Sequence, residues 1–419
     1  MSHTLVIDQG THASRAIIFS STGKLITSSE KTIQLNRINR HCIEQDADEI
    51  LQSVISTVKD VLPKTSVKIQ SCAIATQRST MLAWHKETLH SLHPALSWQD
   101  RRSEDDLLQF KNHEPLIRNI TGLPLSAHYG AGKFRYLLKQ LHTQQDSILL
   151  GPLVTYLLTH LTREHLHRVD HSNAHRTLLF DLHSLNWSDE LLELFQVNKH
   201  YLPDCKPTRY DYGELMDTGI PIRSVSGDQN AALFSQGVIP DDTAIVNLGT
   251  GAFILSPTTT LESETGLLQG IARSNQQADY LLEGTVNGAG AAISWAQQHW
   301  PVTQLYTQLD NWLQNIDHLP VFINTIGGLG SPWWISGVDP YFINDDDHTL
   351  IEQRYVAIIE SIIFLIMKNL ERLAGHTTIK TLRVSGGLSQ LDGLCQKLAN
   401  LSGCQVERLD DPEATARGA

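Results

Sequence analysis

At 419 residues the chain is longer than one hydrophobic core usually serves, so two domains are expected. Hydrophobic content of 41% and charged content of 19% describe a globular protein, and 33 Lys+Arg against 45 Asp+Glu leave a formal charge of −12. Without a basic run interleaved with aromatics, that balance speaks against nucleic acid as a partner.

The first elements are "LVIDQG", "RAIIFS" and "KLITSSEKTIQL", three β-type runs, then a helix over "DADEILQSVISTVKDVL", then the strand "VKIQSCAIATQ". In the helix, Ile50, Leu51, Val54, Ile55, Val58 and Leu62 recur at i+3 and i+4, which predicts one buried stripe. Three strands, a helix and a further strand mean antiparallel hairpins followed by a parallel crossover, hence a mixed sheet covered by helices.

Further on, "HLTREHLHRVDHSNAHR" concentrates histidine, but its spacing matches neither HExxH nor a finger pattern, and it reads as a solvated, His-rich surface. "VSGDQNAALFSQGVIP" leads to a domain boundary near Gly227 to Ile239 with no flexible linker; we divide the chain into 1–232 and 233–419.

The second half repeats the grammar of the first. "AIVNLGT", "AFILSP" and "YLLEGTV" precede the helix "GAGAAISWAQQHW", and a helix over 355–374 feeds the strand "TLRVSGG". That second helix carries Glu360 and Lys368 inside an apolar run far shorter than the roughly 18 residues of a membrane span, and reads as a core helix. Five isolated cysteines without a CxxC, and a chain that goes from "MSHT" straight into a strand, fit a reducing cytoplasm. The closing "DDPEATARGA" stops inside what looks like the first turn of a helix, as if the natural chain continued.

The stretch "IDQGTHASRAIIF" near the start and "NLGTGAFIL" near residue 250 both place a polar residue, one spacer and Gly-Thr between two apolar strands. Their separation is too long for a solenoid period and right for one fold built twice. Gly-rich turns expose consecutive N–H groups, a neighbouring hydroxyl adds a donor, and together they cradle phosphate oxygens. Any tight hairpin needs one such glycine; two matched copies point further. No GxxxxGK[ST] occurs, no GxGxxG opens a helix, and "HYGAGKFR" has only the GK pair. Asp8, at the end of the first strand, is placed to hold Mg²⁺ beside phosphates, directly or through water.

These motifs resemble the FGGY carbohydrate kinases, most closely their glycerol kinase branch. "TQRSTMLAW" and "ALSWQDRR" are similar to polyol-contacting segments, "SGDQNAALF" to the catalytic segment, and "LEGTVNGAGAAISW", "GGLGSPWW" and "LRVSGGLSQ" to adenine-nucleotide segments. The resemblance implies an α/β fold of two ribonuclease H-like (actin-like ATPase) domains with mixed sheets, ATP with Mg²⁺ in the cleft between them, and a small polyol or sugar as acceptor.

By the same resemblance Asp228 is the catalytic base, because a substrate hydroxyl of high pKa needs a carboxylate to take its proton. Gly10, Thr11, His12, Arg15, Gly249, Thr250 and Gly251 face the phosphates, and Gly290, Ser294, Gly386 and Gly387 face the adenosine. Arg78 and Trp98 form a polyol clamp, a guanidinium offering donors to hydroxyl oxygens and an indole covering the carbon chain, joined by Ser79, His128 and Gln229.

Three positions depart from the glycerol kinase pattern. His12 stands where a small hydroxyl residue is usual, Ser79 where a glutamate follows the clamp arginine, and His128, with Tyr129 next to it, where a tyrosine is usual. Losing a charged acceptor at position 79 changes discrimination by about 10- to 150-fold, and the shorter side chain leaves room for a longer polyol or a ketose. The expectation is therefore a kinase acting on glycerol, or on another polyol or a pentulose-like sugar. A nucleotide-binding regulator without turnover is the reading from another class. Homo-oligomers are compatible with it all.

Overall fold

The apolar runs at the start form two antiparallel strands, β1 (His3–Gln9) and β2 (Ala13–Ser20), and at the turn between them Gly10 donates its N–H to the Ala13 carbonyl at 2.9 Å. The computed structural model describes residues 3–141, 147–261, 266–335, 337–375, 377–409, 411 and 413–419. Asp410 and Pro412 of the closing motif lie outside the described residues.

β3 (Leu25–Thr32) pairs with β2 and ends before the "IQL" that the sequence pattern included; it is a largely exposed edge strand whose polar residues face water. Helix α1 (Ala47–Val61) starts at Asp46, whose carboxylate accepts from the N–H groups of Asp48 and Glu49. Its buried face holds Ile50, Leu51, Val54 and Val58 as the periodicity predicts, but Ser53, Thr57 and Val61 complete it, while Ile55 and Leu62 are only half-buried. β4 (Ile69–Thr76) then runs parallel to β1, and β5 (Ile220–Gly227) parallel to β4. The strand order is 3-2-1-4-5, with a short strand over 214–215 on the outer edge of β5.

The same order recurs in the second half. β6 (Thr243–Leu248) and β7 (Ala252–Thr258) form the matching hairpin, β8 (Ala278–Val286) pairs antiparallel with β7, and β9 (Thr381–Ser385) and β10 (Gln405–Arg408) add on parallel beyond β6. The order 8-7-6-9-10 is the order 3-2-1-4-5 over again, with a further strand, Leu268–Ser274, on the outer edge of β8. The duplication inferred from two matched turns is thus a duplication of whole sheets, with β1 and β6 as the equivalent central strands.

The chain divides into two compact units. One is Met1–Val238 with Gly270–Asp279 and Pro412–Ala419; the other is Ile239–Gln269 with Tyr280–Asp411. The first unit carries an additional five-stranded antiparallel sheet, ordered 36–37, 43–45, 95–96, 81–85 and 148–152; residues 78–80 just before strand 81–85 and residues 97–98 just after strand 95–96 lie side by side. In the second unit helix α5 (Ile351–Ala374) supplies Tyr355, Ile358, Ile359, Ile362, Ile363 and Ile366 to one core with Ala244, Val246 and Val384 of the sheet. Each such side chain contributes about 1.5–3 kcal/mol through removal from water. Glu360 pairs with Lys397 at 2.8 Å. No helix among the described residues is long and apolar enough to cross a membrane.

The stretch His160 to Arg176 overturns the reading of a solvated surface. Only residues 163–165 are exposed, and 169–176 are buried throughout. His175 is 2% exposed and its Nε2 lies 2.8 Å from the Thr121 carbonyl; burial lowers its pKa to about 3, so it stays neutral. Its neighbours Ser172 to His175 belong to a short helix, α2 (His171–His175), packed under β5.

Candidate active site

In the first unit the β1–β2 turn carries Asp8, Gly10, Thr11, His12 and Arg15. Asp8 and Arg15 face each other across the strand pair, and the guanidinium reaches Asp8 Oδ2 at 2.5 Å and Glu413 Oε2 at 3.0 Å. Asp8 is 6% exposed, and among the described residues nothing hydrogen-bonds its Oδ1, which leaves those lone pairs for water or a cation. His12 is exposed.

A layer of buried amides fixes this turn to the substrate side. Gln77 Nε2 donates to Gln9 Oε1 at 3.2 Å and to Gln45 Oε1 at 3.0 Å, and Gln45 Nε2 donates to the Thr11 carbonyl at 2.9 Å. Thr80 Oγ1 donates to Gln77 Oε1 and accepts from the Trp98 backbone N–H, both at 3.1 Å. The Trp98 indole N–H donates to Thr11 Oγ1 at 2.9 Å, so the indole and the threonine of the phosphate-type turn are one hydrogen-bonded unit.

Around Trp98 the remaining residues converge. The His128 ring stands edge-on to the indole, with centroids 5.9 Å apart, and burial holds its pKa well below the usual histidine value, with Lys133, Arg101, Arg176 and Arg78 acting in the same sense. His128 is therefore a neutral ring. Ser79 sits at φ +62°, is 1% exposed, and its hydroxyl has no hydrogen-bond partner among the described residues. Lys133, fully buried, donates to the Ser79 carbonyl at 2.7 Å and the His128 carbonyl at 2.9 Å.

Asp228 begins helix α3 (Asp228–Ala232) immediately after β5. Gly227, not Asp228, is its N-cap, and the carboxylate accepts from the next N–H, that of Gln229, at 2.7 Å. Arg78 Nε lies 4.0 Å from Asp228 Oδ1, while its terminal nitrogens donate to Asn230 Oδ1 at 2.9 Å and to Gln229 Oε1. Burial raises the Asp228 carboxyl to about 6, against the pull of Arg78. A carboxylate tuned this way and fixed beside a guanidinium can accept a proton near neutral pH.

In the second unit the β6–β7 turn repeats the arrangement. Gly249 donates to the Gly251 carbonyl at 3.0 Å, and the start of helix α4 (Gly290–His299) is bound to the turn, with Gly290 N–H on the Gly249 carbonyl and Ala291 N–H on the Thr250 carbonyl, both at 2.9 Å. A Cβ on Gly290 would stand 2.8 Å from the Gly249 carbonyl oxygen, so glycine is required for this contact. Ser294 Oγ turns back on the Gly290 carbonyl at 3.1 Å. Gly386 has φ +91° and lies against Leu248, whereas a Cβ on Gly387 would meet nothing within 4 Å. Open glycine backbone beside a helix start is a cradle that suits a phosphate or a nucleotide ring.

Sequence reasoning placed the first-unit residues Asp8, Gly10, Thr11, His12, Arg15, Arg78, Ser79, Trp98, His128, Asp228 and Gln229 and the second-unit residues Gly249, Thr250, Gly251, Gly290, Ser294, Gly386 and Gly387. It missed Gln9, Gln45, Gln77, Thr80, Lys133, Asn230 and Glu413. Of these, Gln9, Gln77, Thr80, Asn230 and Glu413 lie inside the quoted motifs without having been singled out, Lys133 lies in the GK pair of "HYGAGKFR", and Gln45 carries no signal.

Two copies of one mixed sheet, each with a glycine turn between its first two strands, and a tuned carboxylate beside an arginine are the arrangement expected of a kinase built on duplicated sheets. The comparisons agree. Residues 3–235 match the N-terminal domain and 244–419 the C-terminal domain of the FGGY family of carbohydrate kinases. Glycerol kinase 1 of Clostridium tetani is 33% identical over 446 aligned residues, covering 100% of this chain and 88% of the relative. A glycerol kinase of Listeria monocytogenes is 32% identical with the same coverage. Among solved structures, Plasmodium falciparum glycerol kinase with ADP superposes with a TM-score of 0.92 at 24% identity, and Lactobacillus acidophilus xylulose kinase with 0.88 at 20%, each covering 100% of this chain and 88% of the other. The chain belongs to the FGGY family of carbohydrate kinases, and is an ATP-dependent kinase of a sugar or polyol.

Proposed function

We propose that the protein transfers the γ-phosphoryl group of ATP to a hydroxyl of glycerol, giving glycerol 3-phosphate. The observation that carries the reading is Asp228: a carboxylate raised to about 6, within 4.0 Å of Arg78, on the same unit as the Asp8–Arg15 turn. The curated relatives named glycerol kinase support the choice of acceptor.

In this reading Arg78 and Gln229 hold hydroxyl oxygens and the Trp98 face covers the carbon chain. Asp228 takes the hydroxyl proton as that oxygen bonds to phosphorus, and ADP leaves. Of the residues proposed for the nucleotide, Thr11 and Arg15 belong to the first unit, for the phosphates, and Gly249, Thr250 and Gly251, for the phosphates, with Gly290, Ser294, Gly386 and Gly387, for the nucleoside, to the second. The free oxygen of Asp8 fits Mg²⁺ held directly or through water, where the ion neutralises phosphate charge. The reaction belongs in the cytoplasm, where ATP is available.

A second acceptor is favoured by one observation. The Ser79 hydroxyl is buried and unpartnered at a position where a larger acidic side chain would fill space, and this suits a longer polyol or a ketose.

The test is ADP formation from Mg·ATP with glycerol, erythritol, pentitols, ketopentoses and ketohexoses, with Asp228→Asn as control. A glycerol signal lost in the control is expected. A signal on longer acceptors alone moves the substrate and keeps the reaction, and nucleotide binding without turnover on any acceptor supports a regulator instead.

A further inference from the structure

The segment "VDHSNAHR", which the sequence suggested was surface, packs directly behind the proposed base. Asp170 is fully buried at the start of α2, and its Oδ2 accepts from Ser172 N–H at 2.9 Å, from Asn173 N–H at 3.1 Å and from the Ser172 hydroxyl. Its Oδ1 accepts from Asn173 Nδ2 at 2.7 Å. The Ser172 hydroxyl has one proton, and Asp170 takes it. A lone pair of that oxygen therefore faces the other way, where the Gly227 N–H donates to it at 2.9 Å.

Gly227 is the last residue before Asp228. A Cβ on Gly227 would stand 2.4 Å from Arg78 Cδ, so the arginine stem occupies the space a side chain would need. The Gly227 peptide is clamped between the Ser172 hydroxyl and the Arg78 stem, and the Asp228 side chain leaves the backbone from the end of that clamp.

We propose that Ser172, oriented by Asp170, is a positioning residue for Asp228, setting where the carboxylate stands rather than touching substrate. The inference rests on Asp228 being the base. A hydrogen bond to a charged group through an intervening hydroxyl is stiffer than one to a free hydroxyl, and misplacing a reacting group by about 1 Å costs up to about 10²-fold in rate. Replacing Asp170 by Asn turns one of its acceptors into a donor that faces either Ser172 or Asn173, so the serine loses its fixed orientation.

The experiment compares Ser172→Ala, Ser172→Thr, Asp170→Asn and the double variant Asp170→Asn/Ser172→Ala with the wild type and Asp228→Asn, measuring kcat, acceptor KM, ADP affinity and thermal midpoint. Ser172→Ala is expected to lower kcat about 10- to 100-fold with KM and ADP affinity within about twofold. Ser172→Thr, which keeps the hydroxyl, recovers most of the rate, and the double variant is no slower than the slower single one, because both act through one hydrogen bond.

An unchanged kcat in Ser172→Ala, with or without a lower thermal midpoint, overturns the proposal, and so do independent, multiplying losses in the double variant. If Asp228→Asn is inactive while Ser172→Ala is not, only this inference fails. If the wild type turns over no acceptor or Asp228→Asn keeps its rate, the reading of the base fails and takes this one with it.

Discussion

Lys133 and Ser79 stand 54 residues apart in sequence, yet the buried ammonium of the lysine donates to the serine carbonyl at 2.7 Å and, from the same nitrogen, to the His128 carbonyl at 2.9 Å. One side chain thus fixes the backbone at both positions of the proposed acceptor pocket where the sequence departs from the glycerol kinase pattern. Burial lowers its pKa well below the usual lysine value. Lys133→Met keeps the volume and removes the donors, leaving two carbonyls unsatisfied at about 1–3 kcal/mol each. The expected result is a lower thermal midpoint and a KM for the acceptor raised at least fivefold, with ADP affinity retained. An unchanged KM in a folded variant would show that the lysine holds the fold alone.

Ser79 itself is held at φ +62° with an unpartnered buried hydroxyl. A left-handed conformation costs a non-glycine residue about 1–2 kcal/mol, and the bare hydroxyl costs more. Ser79→Gly is therefore expected to stabilise the free protein by about 1 kcal/mol after the extra chain entropy of glycine is subtracted. If the hydroxyl hydrogen-bonds the acceptor, KM rises about fivefold in the same variant, corresponding to about 1 kcal/mol. Thermal unfolding and steady-state kinetics on one preparation read both.

As the proposed base, Asp228 sets the expected pH dependence. With a carboxyl raised to about 6, the base is charged above that value and protonated below it, so kcat/KM is expected to fall about tenfold per unit as pH drops below 6. For stability the sign is opposite. A folded pKa above the unfolded value of about 3.9 means the charged form is disfavoured in the fold, so the carboxylate weakens the protein at pH 7 to 8 and ceases to do so below about pH 4. Asp228→Asn should lower kcat by about 10² to 10⁴ while its thermal midpoint at pH 8 is equal to or above that of the wild type. A loss of stability at pH 8 with kcat retained would mark Asp228 as structural.

Much of this architecture is legible in the residues. The two Gly-Thr turns announce a duplicated fold because a turn between two buried strands needs local residue types, and the α1 stripe follows from helix geometry alone. What the sequence hides is long-range polar pairing. Gln9, Gln45 and Gln77 meet across 32 to 68 positions, and an amide in a buried network has the same letter as one on a surface. The segment His160 to Arg176 misleads for the same reason: histidine counts as polar, but burial holds His167 to about 4 and His175 to about 3, so both are neutral rings against backbone carbonyls. Ser172 is the costliest omission, since only the fold brings it to Gly227.

Gly386 and Gly387 are adjacent glycines with opposite requirements, and comparing them separates packing from ligand contact in the second unit. At Gly386 the backbone has φ +91°, and a Cβ would stand 2.6 Å from the Leu248 carbonyl oxygen and 2.7 Å from its carbon, which are main-chain atoms that cannot swing aside. Leu248 directly precedes the Gly249–Thr250 turn, so Gly386→Ala is expected to destabilise the protein by about 2 kcal/mol or more and to weaken ADP binding by displacing that turn. At Gly387 a Cβ meets nothing within 4 Å, so Gly387→Ala should leave the thermal midpoint of the free protein unchanged. If a nucleotide lies against that open backbone, the added methyl intrudes on it and ADP affinity falls, and a bulkier Gly387→Val lowers it further. Calorimetric ADP titration alongside thermal unfolding decides between them: lost affinity at unchanged stability places the nucleoside over Gly387, and full affinity in the Val variant removes this glycine from the binding surface.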